Sequence, residues 1–533
     1  MAVDPVRALD DRFVSGEQNN FKLERLVDQL IDALKRPTQR DRTVLAILAG
    51  YLLVWTLYGV IAKSNQDLHS DMTELIVWSR DLAFGFPKHP PFAAIVVRAW
   101  FAWFPITDWA YYLLAVLTAT SALWIAWQLF ADYLPPTKRV VGLCLLTFIP
   151  FFNFHALKFN VNTVLMPLWA VTTFWFLRSY RTRSSAYAAL AGASAALCMI
   201  TKYWSIFLLL GLVVAVALDR RRRVYFRSSA PWITVLVGIA VISPHLGWLE
   251  KHNFSPIEYA MSVHGGHSFA DALLVVLRYC VDTIAYGLVP IAIVVLITRP
   301  RASTLLEMVW PADPDRRLVA LALAATLSLP ILPALLWGIG INAIWTMSSW
   351  TLLPVLLLSP HSVRISRAPI RWIIGSAILL PLAMLPLAPA VAFVAFKRGL
   401  RPQITQARML AEHVEAAWRT MTTEPLRYVS GNADFAYGVA TYAPDRPRAL
   451  PGLPEQPQAR LQSTGLVLIC EATDDGCTLQ SSQIASLNPR SQKSQIELIK
   501  NYLGTSGQPQ AYVIFVVPPS DSKSLQGNLR SGS

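Results

Sequence analysis

An α-helical polytopic membrane protein of about eleven transmembrane helices, with outer juxtamembrane helices and a small C-terminal α/β domain, is the fold class this sequence predicts. Three observations predict it. Apolar runs of about 17 to 26 residues recur between Thr43 and Phe396, the length needed to cross a hydrocarbon core of about 30 Å at 1.5 Å per residue. The polar gaps between them alternate between arginine-rich and arginine-poor, and arginine accumulates in loops that stay in the cytoplasm. Beyond Phe396 the chain turns polar and carries two strand-like runs, 465–470 and 511–517.

Composition supports the class. The 533 residues are 54% hydrophobic and 15% charged, with mean hydropathy +0.41, too apolar for soluble domains of that total size. The net charge of +14 sits in short clusters such as Arg220–Arg223, so membrane orientation accounts for it. There is no aromatic-basic platform, and nucleic-acid binding is not expected.

From the start, residues 1–42 read as a cytoplasmic amphipathic segment. Phe21, Leu23, Leu26, Val27, Leu30, Ile31 and Leu34 fall mostly on one helical face, for the inner membrane surface or for packing on the protein itself. No short apolar core precedes a small-residue cleavage site, so the first span is expected to direct insertion. The transmembrane domain is expected over 43–399. Its spans run near 43–62, 109–130, 140–155, 162–178, 186–201, 204–218, 231–248, 272–297, 318–338, 344–360 and 371–396. This arrangement keeps five basic clusters inside, Lys138/Arg139, Arg178/Arg181/Arg183, Arg220–Arg223, Arg299/Arg301/Arg316/Arg317 and Arg364/Arg367/Arg371, with the N-terminus cytoplasmic and the C-terminus outside. Residues 91–104 give only about 21 Å of helix and carry Arg98. Counting them as a span would reverse every later loop, so they are read as a helix in the outer interface, with Trp100, Trp103 and Trp109 at headgroup depth.

Residues 400–533 are expected to form a small periplasmic α/β domain with a disordered Ser/Gly tail. Helical patterns cover about 403–421 and 494–503, and 443–459 is proline-rich. Cys470 and Cys477 border a strand-like run where an oxidising compartment permits a disulfide. Cys144, Cys198 and Cys280 lie in spans as small apolar residues. Arg278 and Asp282 stand four apart in a span, and their mutual pairing is the expectation.

Polar chemistry concentrates in the outward loops, above all in 63–108. Asp71 and Glu74 are one helical turn apart and can face a common pocket. Lys88 and His89 follow at a proline-fixed turn. A carboxylate near cations at a membrane surface suits transfer from a phospholipid-like donor, the acid deprotonating an acceptor while the cation stabilises the leaving phosphate.

The loop Asp71-x-x-Glu74…Trp78-Ser79…Gly85-Phe86-Pro87-Lys88-His89-Pro90-Pro91 resembles the integral-membrane glycosyltransferases of the C superfamily, near the protein O-mannosyltransferase and aminoarabinose–lipid A transferase lineage. The likeness continues in Phe159-Asn160-Val161-Asn162-Thr163, in Thr201-Lys202-Tyr203 and in His252-Asn253-Phe254-Ser255-Pro256. It implies inverting transfer of a sugar from a polyprenyl-phosphate donor to a lipid, glycan or protein acceptor at the outer face of a bacterial inner membrane. Asp71 matches the acid that activates the acceptor. Lys88 or His89 matches the phosphate grip, the motif not deciding between them. Asn160 and Asn162 stand where many relatives carry a second aspartate. An amide binds sugars but neither acts as a base nor holds a metal strongly, so no cofactor or metal is assigned, with a divalent ion left open. Lys202 and Lys158 are further candidates for the donor phosphate, Lys202 being equally readable as a snorkelling side chain. His155, which with Lys158 precedes Asn160, is a further candidate for that grip and for substrate contact. His264 and His267 lack an acidic or thiol partner for zinc and read as a flexible loop near the acceptor entrance. The rival function is a non-enzymatic lipid or polysaccharide transporter or envelope assembly factor.

Overall fold

The computed structural model describes residues 28–401, 406–450 and 463–519. The N-terminal residues Phe21, Leu23, Leu26 and Val27 and the Ser/Gly tail lie outside them. Two compact units are present, and they do not follow chain order. The first comprises Met1–Thr56, Phe84–Phe92 and Leu113–Leu385; the second comprises Leu57–Ala83, Ala93–Tyr112 and Pro386–Ser533.

Among the described residues, six helices are long and apolar enough to cross a membrane: Arg40–Ala62, Asp108–Phe130, Ala230–Lys251, Phe269–Thr298, Pro314–Trp337 and Arg367–Lys397. A seventh results if Pro136–Thr147 and Pro150–Leu157, bent by 82°, are taken as one. Pro150 opens the second piece, where its ring cannot continue the preceding helix. The expected spans at 162–178, 186–201 and 204–218 are the helices Val161–Thr182, Ser185–Met199 and Ile206–Leu218. The stretch expected as a span at 344–360 is broken into the turns Ala343–Thr346 and Ser349–Leu352 and the helix Leu353–Leu358. These helices make the chain a multi-pass membrane protein.

In the first unit, helices Ser185–Met199 and Ala230–Lys251 approach at Gly192. A Cβ there would stand 2.2 Å from the Thr234 carbonyl, the close backbone contact that small residues allow between membrane helices. The arginine-rich loops share partners. Arg178 and Arg181 both engage Asp132, Arg221 bridges Asp219 and Asp315, and Lys138 donates to the Pro360 carbonyl at 3.1 Å. Residues 28–35 are helical, with Ile31 and Leu34 buried. Asp28 accepts from Arg371 at 2.8 Å and Arg367 at 3.1 Å, so this part of the amphipathic segment packs on the protein itself.

The second unit is built on a five-stranded sheet of order β2-β1-β3-β7-β4, with β1 Tyr428–Gly431, β2 Arg448–Ala449, β3 Leu466–Glu471, β4 Gln492–Leu498 and β7 Gln510–Val517. The two strand-like runs are β3 and β7, paired antiparallel with Leu466 opposite Val517. Leu466, Leu468, Val513, Phe515 and Val517 form the core with Ala485. The helix expected at 494–503 is instead β4 and a hairpin of β5 Asn501–Tyr502 and β6 Thr505–Ser506. Apolar residues 496, 498, 499, 502 and 503 mimic a helical face, but Ile496 pairs with Tyr512 of β7 and Leu498 with Gln510, and the ladder overrides local pattern. The other expected helix is present as Ala407–Met421. Cys470 and Cys477 are joined as a disulfide with Cα atoms 5.7 Å apart.

Candidate active site

The candidate acids lie on the nine-residue helix Ser70–Trp78 of the second unit. His69 caps it: its Nδ1 accepts from the Asp71 amide at 3.2 Å and lies 3.8 Å from the Asp71 carboxylate. Asp71 is half-buried, whereas Glu74, one turn on, is only 5% exposed. This helix is held against Ala433–Tyr442 of the C-terminal domain. Trp78 meets Tyr437 edge-on at 6.3 Å, and Thr441 donates to the Thr73 carbonyl at 3.5 Å.

Two arginines secure its C-terminal end. Arg80 donates to the carbonyls of Ala440, Pro447 and Arg446 at 2.8, 2.9 and 3.1 Å. Burial first, then the charge of Arg446, brings its pKa down to about 10, so it stays charged at neutral pH. Arg98, the charge that made 91–104 an unlikely span, sits on the ten-residue helix Phe92–Phe101. It donates to the carbonyls of Ser79 and Arg80 at 3.0 and 3.1 Å, satisfying helix-end acceptors that would otherwise lack a partner.

The first unit gathers the candidate cations. The strap Phe84–Phe92, which carries Lys88 and His89, is tied at both ends: the Phe92 amide donates to Ile200 at 3.0 Å, and the Phe84 carbonyl faces His245 Nδ1 at 2.6 Å. A carbonyl cannot donate, so Nδ1 carries the proton and Nε2 accepts from the Tyr203 hydroxyl at 3.0 Å. Gly85 is needed here, because a Cβ would stand 2.2 Å from the Trp248 ring. Within the strap, the Phe86 amide donates to the His89 carbonyl at 3.1 Å, forming the turn that displays half-buried Lys88.

Lys202 donates to the Asn162 side-chain oxygen at 2.9 Å, and its ammonium lies 4.3 Å from the centre of the Trp345 ring. His264 packs edge-on against the same ring at 5.1 Å; burial, followed by the charges of Lys202 and His267, holds its pKa below the ordinary histidine value. Asn160 caps Val161–Thr182, its oxygen accepting from the amides of Asn162 and Thr163 at 2.9 and 3.4 Å. The Lys158 carbonyl accepts from Thr163 at 3.0 Å. His267 is exposed, its amide bonded to the Gly338 carbonyl at 3.2 Å. His155 meets the Tyr286 hydroxyl at 3.4 Å. Tyr286 also lines a cavity of about 590 Å³ with Arg278, Asp282 and Asn342, and the expected Arg278–Asp282 pair is present at 3.7 Å.

The structure thus brings Lys202 together with Asn162 and sets Lys202 and His264 against the same Trp345 ring, with His267 near enough for its charge to bear on His264, while His155 meets Tyr286. Sequence reasoning missed His245, whose signal was a lone histidine in an apolar run, and Trp345, which had no signal beyond its size. Among the described residues no group of three His, Cys, Asp or Glu stands close enough to hold a metal.

The family model described as dolichyl-phosphate-mannose-protein mannosyltransferase matches residues 88–248. Lipid A galacturonosyltransferase RgtD of Rhizobium johnstonii is 23% identical over 227 residues, 40% of this chain and 46% of the relative, so the match spans about half of that relative's length. ArnT from Cupriavidus metallidurans bound to undecaprenyl phosphate aligns with a TM-score of 0.58 at 12% identity, over 88% of this chain and 97% of that one. Its apo state aligns with a TM-score of 0.56 at 11% identity, over 90% and 99%. At such identities the structural likeness is one of fold.

Proposed function

We propose, for a chain with the fold of the integral-membrane glycosyltransferases of the C superfamily, that it transfers a sugar from a polyprenyl-phosphate donor to a lipid, glycan or protein acceptor. The observation that carries this reading is the fixed ammonium of Lys202 in the unit that also holds the Lys88–His89 turn. Lys202 is fixed by an amide and an aromatic face, and the Lys88–His89 turn is displayed on a strap tied two residues away from it, at Ile200. An ammonium held in this way suits a phosphate whose charge grows as a bond to it breaks.

In the reaction, the Asp71 carboxylate takes the proton of the acceptor hydroxyl or amine. The freed lone pair attacks the anomeric carbon from the face opposite the carrier. The carbon–oxygen bond breaks, its electrons leave with the phosphate, and Lys88, His89, Lys202 and Lys158 stabilise that charge. The sugar is inverted. Glu74, being buried, orients a sugar hydroxyl. Asn160, Asn162, His155, His264 and His267 contribute substrate contacts.

The proposed topology keeps eleven crossings in a bacterial inner membrane, with the N-terminus and the basic clusters cytoplasmic and the site and C-terminal domain periplasmic. The shared partners of the arginine-rich loops support it, since loops that pair with one another lie on one side. A phosphatase reporter fused after residue 400 is expected to be active, and a cytoplasm-only fluorescent reporter dark.

Transfer is tested by incubating the purified protein with a panel of radiolabelled polyprenyl-phosphate sugars and candidate acceptors. Label moving to an acceptor, with release of polyprenyl phosphate, supports the reading. Movement of intact lipid across vesicles without transfer would return the protein to the transporter class.

A further inference from the structure

A second charged cavity lies in the unit that holds the C-terminal domain, apart from the residues given roles above. It has a volume of about 340 Å³ and is lined by Val60, Lys63, Asp67, Asp108, Arg408 and Lys500, among others. Its two carboxylates are fully engaged. Asp67, 5% exposed, accepts the Arg408 amide at 3.0 Å and lies 3.5 Å from the Lys500 ammonium and 3.8 Å from the Arg408 guanidinium. Asp108 accepts from Arg408 at 3.3 Å and from the Tyr442 hydroxyl at 3.4 Å.

Three cations therefore face two carboxylates, and the cation left over is Lys63. Its ammonium has no ion pair or hydrogen bond among the described residues. Burial desolvates it and lowers its pKa, which costs free energy until a counter-charge arrives. Lys63 follows directly on the membrane helix Arg40–Ala62, and Asp108 opens the membrane helix Asp108–Phe130. The cavity is therefore at the depth where a bilayer presents its phosphates. Val60 and Met409 supply an apolar wall beside the charges, as a headgroup joined to a hydrocarbon chain requires. The volume lies within the range of small-ligand sites.

We propose that this cavity binds the phosphate of a membrane-lipid headgroup, with Lys63 as its counter-charge and Arg408 and Lys500 holding the rim. The inference is independent of sugar transfer, because none of these residues has a part in it. The chemistry recognised is phosphate, and the alternative source is the free ion.

The test uses the full chain in detergent, with phosphatidylglycerol binding followed by native mass spectrometry and titration. The wild type is expected to retain the lipid, and Lys63→Gln to bind it roughly tenfold or more weakly, the loss of one charge-assisted contact. Lys63→Arg is expected to keep wild-type binding. Should Lys63→Gln fail to fold, Lys63→Met gives the same comparison. Equal lipid affinity in wild type and the uncharged variant overturns the site. Lys63-dependent binding of inorganic phosphate, without Lys63-dependent lipid binding, overturns the lipid assignment.

Discussion

The Lys202 ammonium stands 2.9 Å from the side-chain oxygen of Asn162. The two residues come from separate motifs, and the pairing gives the asparagine a part in placing the cation. An amide oxygen fixes the lysine without neutralising it. Lys202→Ala is expected to lower donor affinity or turnover about ten- to a hundredfold, and Lys202→Arg to recover part of it. Asn162→Asp, which neutralises the cation, should also slow transfer. Wild-type kinetics in Lys202→Ala would leave the residue as a snorkelling side chain.

Lys88 is displayed by a turn closed through the Phe86 amide and the His89 carbonyl. Lys88→Ala is expected to cost about ten- to a hundredfold in donor use, and His89→Ala less. The reverse order in kinetics on correctly inserted protein would move the main grip to His89.

Asp71 is half-buried and Glu74 buried, an asymmetry that separates their roles. Asp71→Asn keeps the shape and removes the base, so transfer should fall by about a hundredfold or more while insertion survives. Glu74→Gln should raise KM more than it lowers kcat. Near-normal transfer by Asp71→Asn together with loss in Glu74→Gln would exchange the assignments.

The Cys470–Cys477 bond closes a short loop, with a sequence separation of 7. Chain-entropy reasoning gives it about 2–3 kcal/mol of stability. Replacing both cysteines with serine should lower the unfolding temperature of the C-terminal domain measurably. Peptide mapping under non-reducing conditions should recover the linked pair, and recovery of two free thiols would refute the bond.

His264 binds its proton less readily folded than unfolded, since burial and then Lys202 and His267 disfavour the cation. Between its lowered pKa and the ordinary 6.5 the unfolded chain holds more protons, so stability rises with pH across that window and is flat above it. Thermal unfolding from pH 5 to 8 should show the wild type losing stability on acidification, and His264→Gln losing less. Parallel curves would mean that His264 titrates normally.

Much of the strand content was legible in the sequence because it is local. The runs Leu466–Glu471 and Gln510–Val517 are dense in β-branched and apolar residues, and they pair at the centre of the sheet. Residues 494–503 were misread because an edge strand with one half-buried face has little pattern of its own, and its identity comes from the hydrogen bonds that β7 offers. Asp71, Glu74, Lys88 and Lys202 stand as candidates by residue type and motif. His245 and Trp345 were not, since a histidine or tryptophan in an apolar run looks the same whether it packs or positions.

By itself the sequence determined that this is a multi-pass membrane protein whose C-terminal part carries strands, because span length and hydropathy are properties of consecutive residues. It also determined where charge could be tolerated. Only the tertiary structure decided what those charges do: Arg98 satisfies the end of the Asp71 helix, Lys202 leans on Asn162, and Lys63 is left facing a cavity without a partner among the described residues. Each of these outcomes depends on groups far apart in the chain or on the balance of charge around a cavity. Hydrogen bonds and ion pairs reach only a few ångströms, so no reading along the chain reveals which distant residues folding brings within that reach.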